Sequence, residues 1–494
     1  MTTRRRFLQS AATAGSLLPT LALAESKKVQ LRPEIEPLVR LIEQTPRERC
    51  VEEVAKQVKM GLPYRDLLAA MFLAGIRNVN PQPPGFKFHC VFVIHAAHQV
   101  SLDIPASERL LPLFWALDNF KVSQQRDVQQ GDFELQPVSG KLPSAATAWR
   151  EFHSAMRDWD EEKADRAIAV LARTAGAQSI AEEMWSYGAR DYRNIGHKAI
   201  FVANTWQTLQ TIGWQHAEPS LRSLVLGLLD FGKAKRVNSF AYQDQCFLHN
   251  LAQAKRHSGK LPATWLSRKP DAAATEQLMA AMRQGKVNDS CDLAVKMITG
   301  KSAVSAQAVW DAVHLMAGEL MMRQPGIFGI HTVTSAHGLH YAFDNASRQQ
   351  TRLLMMLQGV GWMSQFRHFM KTRNKGLNSA RILKVSDQAE GSKASIAGIL
   401  ANVSKRPASA AKQAYRWAKT NPLSASLSLA TKRLVGTKAR DAHHFKYSTS
   451  ILSDAEKVSP IYRPHMYATA AYFLCGSDLS DSSAVSRAKM AMKG

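Results

Sequence analysis

The chain has 494 residues, 45% hydrophobic and 21% charged, with 64 Lys/Arg against 40 Asp/Glu for a net charge of +24. That balance excludes a disordered chain and allows a buried core in two to four domains or in two fused halves. Five scattered cysteines without CxxC spacing give no support to a thiolate metal or iron–sulfur site, and the odd count leaves at least one outside any intrachain disulfide.

Residues 1–24 read as an export signal. A basic start, Arg4-Arg5-Arg6, leads into an apolar, small-residue segment that closes on Ala22-Leu23-Ala24. Cleavage is expected after Ala24, leaving a periplasmic protein. The paired arginines before Phe7-Leu8 resemble the twin-arginine signal, which carries cargo already folded. No other segment approaches the roughly 18–20 apolar residues of a membrane span.

A lead-in segment covers residues 25–60, with helical period over 47–60. The first helical repeat is expected over 61–235. It holds helices at 64–76, 89–100 and 108–120, a Gly/Pro-punctuated loop at 122–144, and further helices at 145–158, 161–174, 179–187, 196–212 and 218–229. Residues 236–302 form a connecting helical segment. The second repeat runs over 303–480, with a long helix at 349–369. A basic, weakly periodic insertion at 371–437 is expected to be flexible. Residues 481–494 read as a polar tail. No strand–turn–strand signal recurs, so the expected fold is all-α, a helical bundle of two duplicated, pseudo-symmetric halves.

The duplication is carried by histidines. His89, His95 and His98 are spaced +6 and +3, and His331, His337 and His340 have the same spacing after a matching Pro-Gly break. Ala189-Arg190-Asp191 precedes His197 and His216, and Ala439-Arg440-Asp441 precedes His443, His444 and His465. The expected pairs are His89 with His331, His95 with His337, His98 with His340, His197 with His444, and His216 with His465.

Positions three apart share a helix face. His95, His98, His337 and His340 are therefore the expected metal ligands, as two facing helices could bring four imidazoles to one centre. Neutral imidazole suits iron, copper or zinc, and haem is the other cofactor expected. His89 and His331 lie six positions earlier, about 9 Å back along their helices and turned by about 120°. They are expected around the substrate with His197, His216 and Glu218. A metal-free polar pocket or scattered structural histidines are the alternatives. Trp115, Trp185, Trp206, Trp214, Trp310 and Trp362 either line an apolar pocket or pack the core. No GxGxxG, P-loop, GxSxG or HExxH motif is present.

The stretch from Gly329 to Phe343, GIHTVTSAHGLHYAF, resembles the His-rich helices of the questin oxidase-like family, as does Gly196-His197-Lys198-Ala199-Ile200-Phe201. The resemblance implies a helical enzyme of oxygen-dependent ring oxidation acting on aromatic polyketides, with a nicotinamide reductant. The export signal favours an electron carrier such as a cytochrome instead.

Residues 361–494 carry 22 Lys/Arg against 7 Asp/Glu. No compact basic–aromatic motif accompanies them, so nucleic acid is not expected as a partner. An anionic membrane surface or an acidic redox partner is, unless the block is a solvated face. The expected function is an exported oxidoreductase that uses a His-held transition metal or haem on a small organic, aromatic substrate. The alternative is a non-enzymatic ligand-binding or redox-partner docking protein.

Overall fold

The computed structural model describes residues 28–231, 241–300, 303–373, 376–388 and 394–493. Among these residues there are 22 α-helices, a few short 3-10 turns and no strand, so the fold is all-α. The first eleven are α1 (Glu36–Gln44), α2 (Arg47–Lys59), α3 (Tyr64–Asn78), α4 (His89–Asp103), α5 (Leu111–Gln129), α6 (Ala145–Asp158), α7 (Glu161–Thr174), α8 (Ala177–Gly188), α9 (His197–Ile212), α10 (Ala217–Leu228) and α11 (Tyr242–His257). The second eleven are α12 (Ala272–Gln284), α13 (Val287–Thr299), α14 (Ala306–Arg323), α15 (Ile327–Asn345), α16 (Gln349–Arg373), α17 (Ile396–Asn402), α18 (Pro407–Thr420), α19 (Ser426–Lys438), α20 (Ala442–Lys457), α21 (Arg463–Ala470) and α22 (Ser483–Lys493).

Packing partners recur eleven helices on. Helix α4 packs on α3 and α5, and α15 packs on α14 and α16. Helix α10 packs on α3, α7 and α9, and α21 on α14, α18 and α20. The last helix of each set crosses over: α11 packs on α13 and α16, whereas α22 packs on α2 and α5. At the centre, α4 touches both α9 and α20, and α15 touches the same two. These four helices ring the site.

Local sequence explains why they start where they do. Helix α9 begins after Gly196, whose φ of +85° favours glycine. Helix α20 begins at Asp441, whose carboxylate accepts from the His443 backbone N–H at 2.7 Å and caps the first turn. Helices α4 and α15 are apolar nearly all round and almost wholly buried, as a central helix should be. Gly338 keeps α15 close to α9, since a Cβ there would lie 3.3 Å from the Ala199 carbonyl oxygen.

Three expectations about the chain change. Helix α5 continues to Gln129, inside the stretch expected as a loop at 122–144. Residues 371–437, expected as a flexible insertion, carry α17, α18 and α19. Their buried faces use alanines such as Ala410, Ala411 and Ala414, which favour helix yet register weakly as hydrophobic periodicity. The expected polar tail is α22, tied to α2 by the Arg487 guanidinium on the Glu52 carboxylate at 2.6 and 2.8 Å. The export signal at 1–24 lies outside the described residues. Among those described, no helix is long and apolar enough to cross a membrane.

Candidate metal centre

Three imidazoles meet where α4, α9 and α15 begin. His331 Nε2 lies 2.9 Å from His197 Nε2, and His89 Nε2 lies 3.0 Å from it. The three could offer one ion ligand atoms that all lie within 4.8 Å of one another. The far side of each ring is fixed by backbone. Nδ1–H of His89 donates to the Phe86 carbonyl at 2.8 Å, that of His197 to Asn194 at 2.6 Å, and that of His331 to Ile327 at 2.6 Å. A carbonyl only accepts, so each Nδ1 carries the ring proton and each Nε2 of a neutral ring presents a lone pair.

The rings are held neutral. Burial pushes the His89 and His331 pKa values well below the ordinary range and that of His197 down to about 3, with the nearby Lys446 cation acting in the same direction. The His197 lone pair lies about 3 Å from each of the other two, and such lone pairs repel unless a cation lies between them, which is what a metal site supplies. The backbone before two of the rings is strained: Phe86 and Ile195 take φ of 48° and 47°, a region unusual for side chains of this kind.

A fourth ring, His443 of α20, packs against two of the three, outside the group whose ligand atoms all lie within 4.8 Å of one another. Its centroid is 4.4 Å from that of His89 and 5.4 Å from that of His331. Its Nδ1–H donates to Asp441 at 2.5 Å, while its Nε2 is buried with no protein partner. A carboxylate behind an imidazole is the usual support of a ligand histidine. One turn on, Lys446 has a buried Nζ that makes no hydrogen bond and lies 5.3 Å from the centre of the Phe92 ring, and burial brings its pKa down to about 7.

A cavity of about 310 Å³ opens beside this cluster, lined by all four helices. Ile200, Thr334 and Lys446, each three positions after a cluster histidine, line it, as do Ala96, Asn204, Gly338 and Ser450, each seven positions after one. Three- and seven-residue steps stay on one helix face. Each helix therefore gives a ring to the cluster from its first turn or two, and its following turns to the cavity wall.

The expected ligand set divides. His95 and His337 line the cavity, but Nδ1–H of His337 donates to Asp454 at 2.7 Å. His98 bonds to the Tyr64 hydroxyl at 2.9 Å, and its ring lies 6.2 Å from that of His95. His340 bonds to His314 at 2.7 Å and stacks on Trp310 at 4.1 Å. These four therefore do not converge on one ion. Of the residues expected around the substrate, His89, His197 and His331 form the cluster, whereas His216 and Glu218 lie elsewhere. His216 is buried at the start of α10 near Arg32 and Arg65, at the far end of α9 from His197. Glu218 pairs with Arg173 at 2.7 Å. His444 stacks on Phe473, so His443 and not His444 stands at the site opposite His197. The six tryptophans do not line the cavity.

Spacing within one helix did not point to Lys446, Asp454 or His314. The repeated Ala-Arg-Asp before His197 and His443 was the signal for the fourth ring. No protein-family model, curated protein or solved structure matches the chain.

Proposed function

We propose that the chain is a metal-dependent oxidoreductase that holds one transition ion on His89, His197 and His331, with His443 as fourth imidazole, and acts on a small organic molecule in the adjacent cavity. The three converging Nε2 lone pairs, each fixed from behind by a carbonyl, carry this reading. Neutral imidazoles suit iron and copper, and also zinc. The preference for oxidation rests on the resemblance of the His-rich helices to the questin oxidase-like family. A single ion fits better than haem, because ring nitrogens 2.9 and 3.0 Å apart leave no slot for a porphyrin.

When bound, the ion supplies Lewis acidity or electron transfer. The three imidazoles bind it, the backbone carbonyls orient them, and their burial excludes water. Lys446, between cluster and cavity, can hold or give a proton at Nζ near neutral pH. The same reading carries an ancestry in which α1–α11 and α12–α22 descend from one duplicated unit, supported by the recurring packing partners. A superposition in which α4 and α9 fail to overlay α15 and α20 removes it.

Metal analysis of protein purified without a His tag tests the function. About one equivalent of iron or copper is expected. His331→Ala should bring this below a tenth of an equivalent, and His340→Ala should leave it unchanged. Wild-type protein holding less than a tenth of an equivalent after incubation with ferrous, cupric and zinc salts would end the proposal.

A further inference from the structure

The cavity carries acid–base groups that the metal cluster does not use. Half of its lining residues are neutral and polar, Gln99, Asn204, Gln207, Thr334, Thr449 and Ser450 among them, and Asp344, Lys446 and Lys457 are charged. Two imidazoles face into it, His95 from α4 and His337 from α15, at the same step after His89 and His331. Their surroundings differ. His95 Nδ1 is buried and has no protein partner. His337 Nδ1 lies 2.7 Å from a carboxylate oxygen of Asp454, which is wholly buried, while the His337 side chain keeps 18% of its surface open.

A carboxylate on Nδ1 fixes that tautomer and leaves the Nε2 lone pair free as a base. On its other side Asp454 makes no hydrogen bond and has a second imidazole nearby. Its second oxygen lies 3.3 Å from His314 Nδ1, and His314 Nε2 lies 2.7 Å from His340 Nδ1. His340 in turn lies flat on Trp310, with 6° between the ring planes. The carboxylate thus hydrogen-bonds the His337 ring, which opens to the cavity, and lies near the His314 ring on its buried side.

We propose that His337, backed by Asp454, is a second acid–base residue of this cavity beside Lys446, and that the molecule bound there is small and bears a hydroxyl group whose proton His337 Nε2 accepts. In that step the substrate O–H bond breaks, its electron pair stays on oxygen, and the proton bonds to Nε2. Asp454 remains ionised and faces the imidazolium so formed, which makes it a positioning residue. The hydroxyls and amides of the wall match a hydroxyl-bearing ligand. The inference rests on the reading that this cavity is the substrate site of the proposed enzyme.

Diethyl pyrocarbonate, which acylates a reachable neutral imidazole nitrogen, tests it on the full-length protein, with sites assigned by peptide mass spectrometry. His337 should react within a few-fold of His153, whose side chain is 44% exposed, whereas His314 and His340 stay unmodified. Asp454→Asn should slow reaction at His337 at least roughly 10-fold and leave His153 unchanged, because the wrong tautomer then faces the cavity. Equal rates at His337 in both proteins overturn the proposal. So does an unreactive His337 in the wild type, which decides the matter even where Asp454→Asn does not fold. Metal content on the same samples separates the two readings: loss of the ion in the wild type refutes the metal enzyme without altering the labelling result, and His337→Gln should retain the ion.

Discussion

Gly196 shows how one backbone position sets the cluster. Its φ is +85°, and a Cβ there would lie 2.4 Å from Ser335 Cβ on α15. The start of α9 can press against α15, and bring His197 Nε2 to 2.9 Å from His331 Nε2, only because that Cβ is missing. Gly61 is the control, with φ +96° and nothing within 4 Å of an added Cβ. Gly61→Ala should cost the backbone strain alone, about 1 kcal/mol. Gly196→Ala adds a clash that must push α9 away from α15, so it should cost about 3 kcal/mol and lower metal content as well. Thermal unfolding with metal analysis checks both. Equal, small losses of stability with full metal content would mean that the glycine does not set the distance between the rings.

Four helices share the work of the site, and the start of α20 is the one open to a simple test. Asp441 caps α20 and also holds His443 Nδ1 at 2.5 Å. Asp441→Ala should cost about 1 kcal/mol as a lost cap and weaken metal binding roughly 10- to 100-fold as a lost ligand support. A competitive chelator titration measures the second effect; unchanged affinity would remove His443 from the ligand set. The helices themselves were legible in the sequence, because both His runs, the Ala-Arg-Asp repeats and the Pro-Gly breaks mark helix positions. Which rings meet was not. Helices α4 and α15 are buried on nearly every side, so periodicity gives them no inward face and the +3 pairs look like natural partners. The meeting instead takes one ring from the beginning of each of several helices, and contact between helices far apart in sequence is not encoded in spacing along one of them. His443 was displaced by its neighbour His444 for the same reason, since one residue on a helix is a turn of about 100°.

Across the whole molecule, buried neutral histidines should make stability depend on acid. Burial brings His95 and His197 down to about 3 and His465 down to about 4, from an ordinary value of 6.5. The folded-state values are depressed, so as pH falls below 6.5 the unfolded chain takes up protons that the folded chain refuses. Stability from these groups is fully present above 6.5 and is lost as pH falls towards 3–4. Each such group contributes about 1.4 kcal/mol per pH unit well inside that window, so the three together contribute roughly 4 kcal/mol per unit. His89 and His331, also pushed well below the ordinary range by burial, act in the same direction. Lys446 works above neutrality: its folded value of about 7 lies below the ordinary 10.5, so its contribution rises with pH between those two values. A domain with a typical stability of about 5–15 kcal/mol should therefore begin to unfold near pH 5, because five buried imidazoles titrate against it together. Urea unfolding of the metal-free protein at pH 7, 6 and 5 measures this. A midpoint that stays level over that range would mean that the rings already carry protons in the folded chain, and a cluster of protonated imidazoles could not serve as a ligand set.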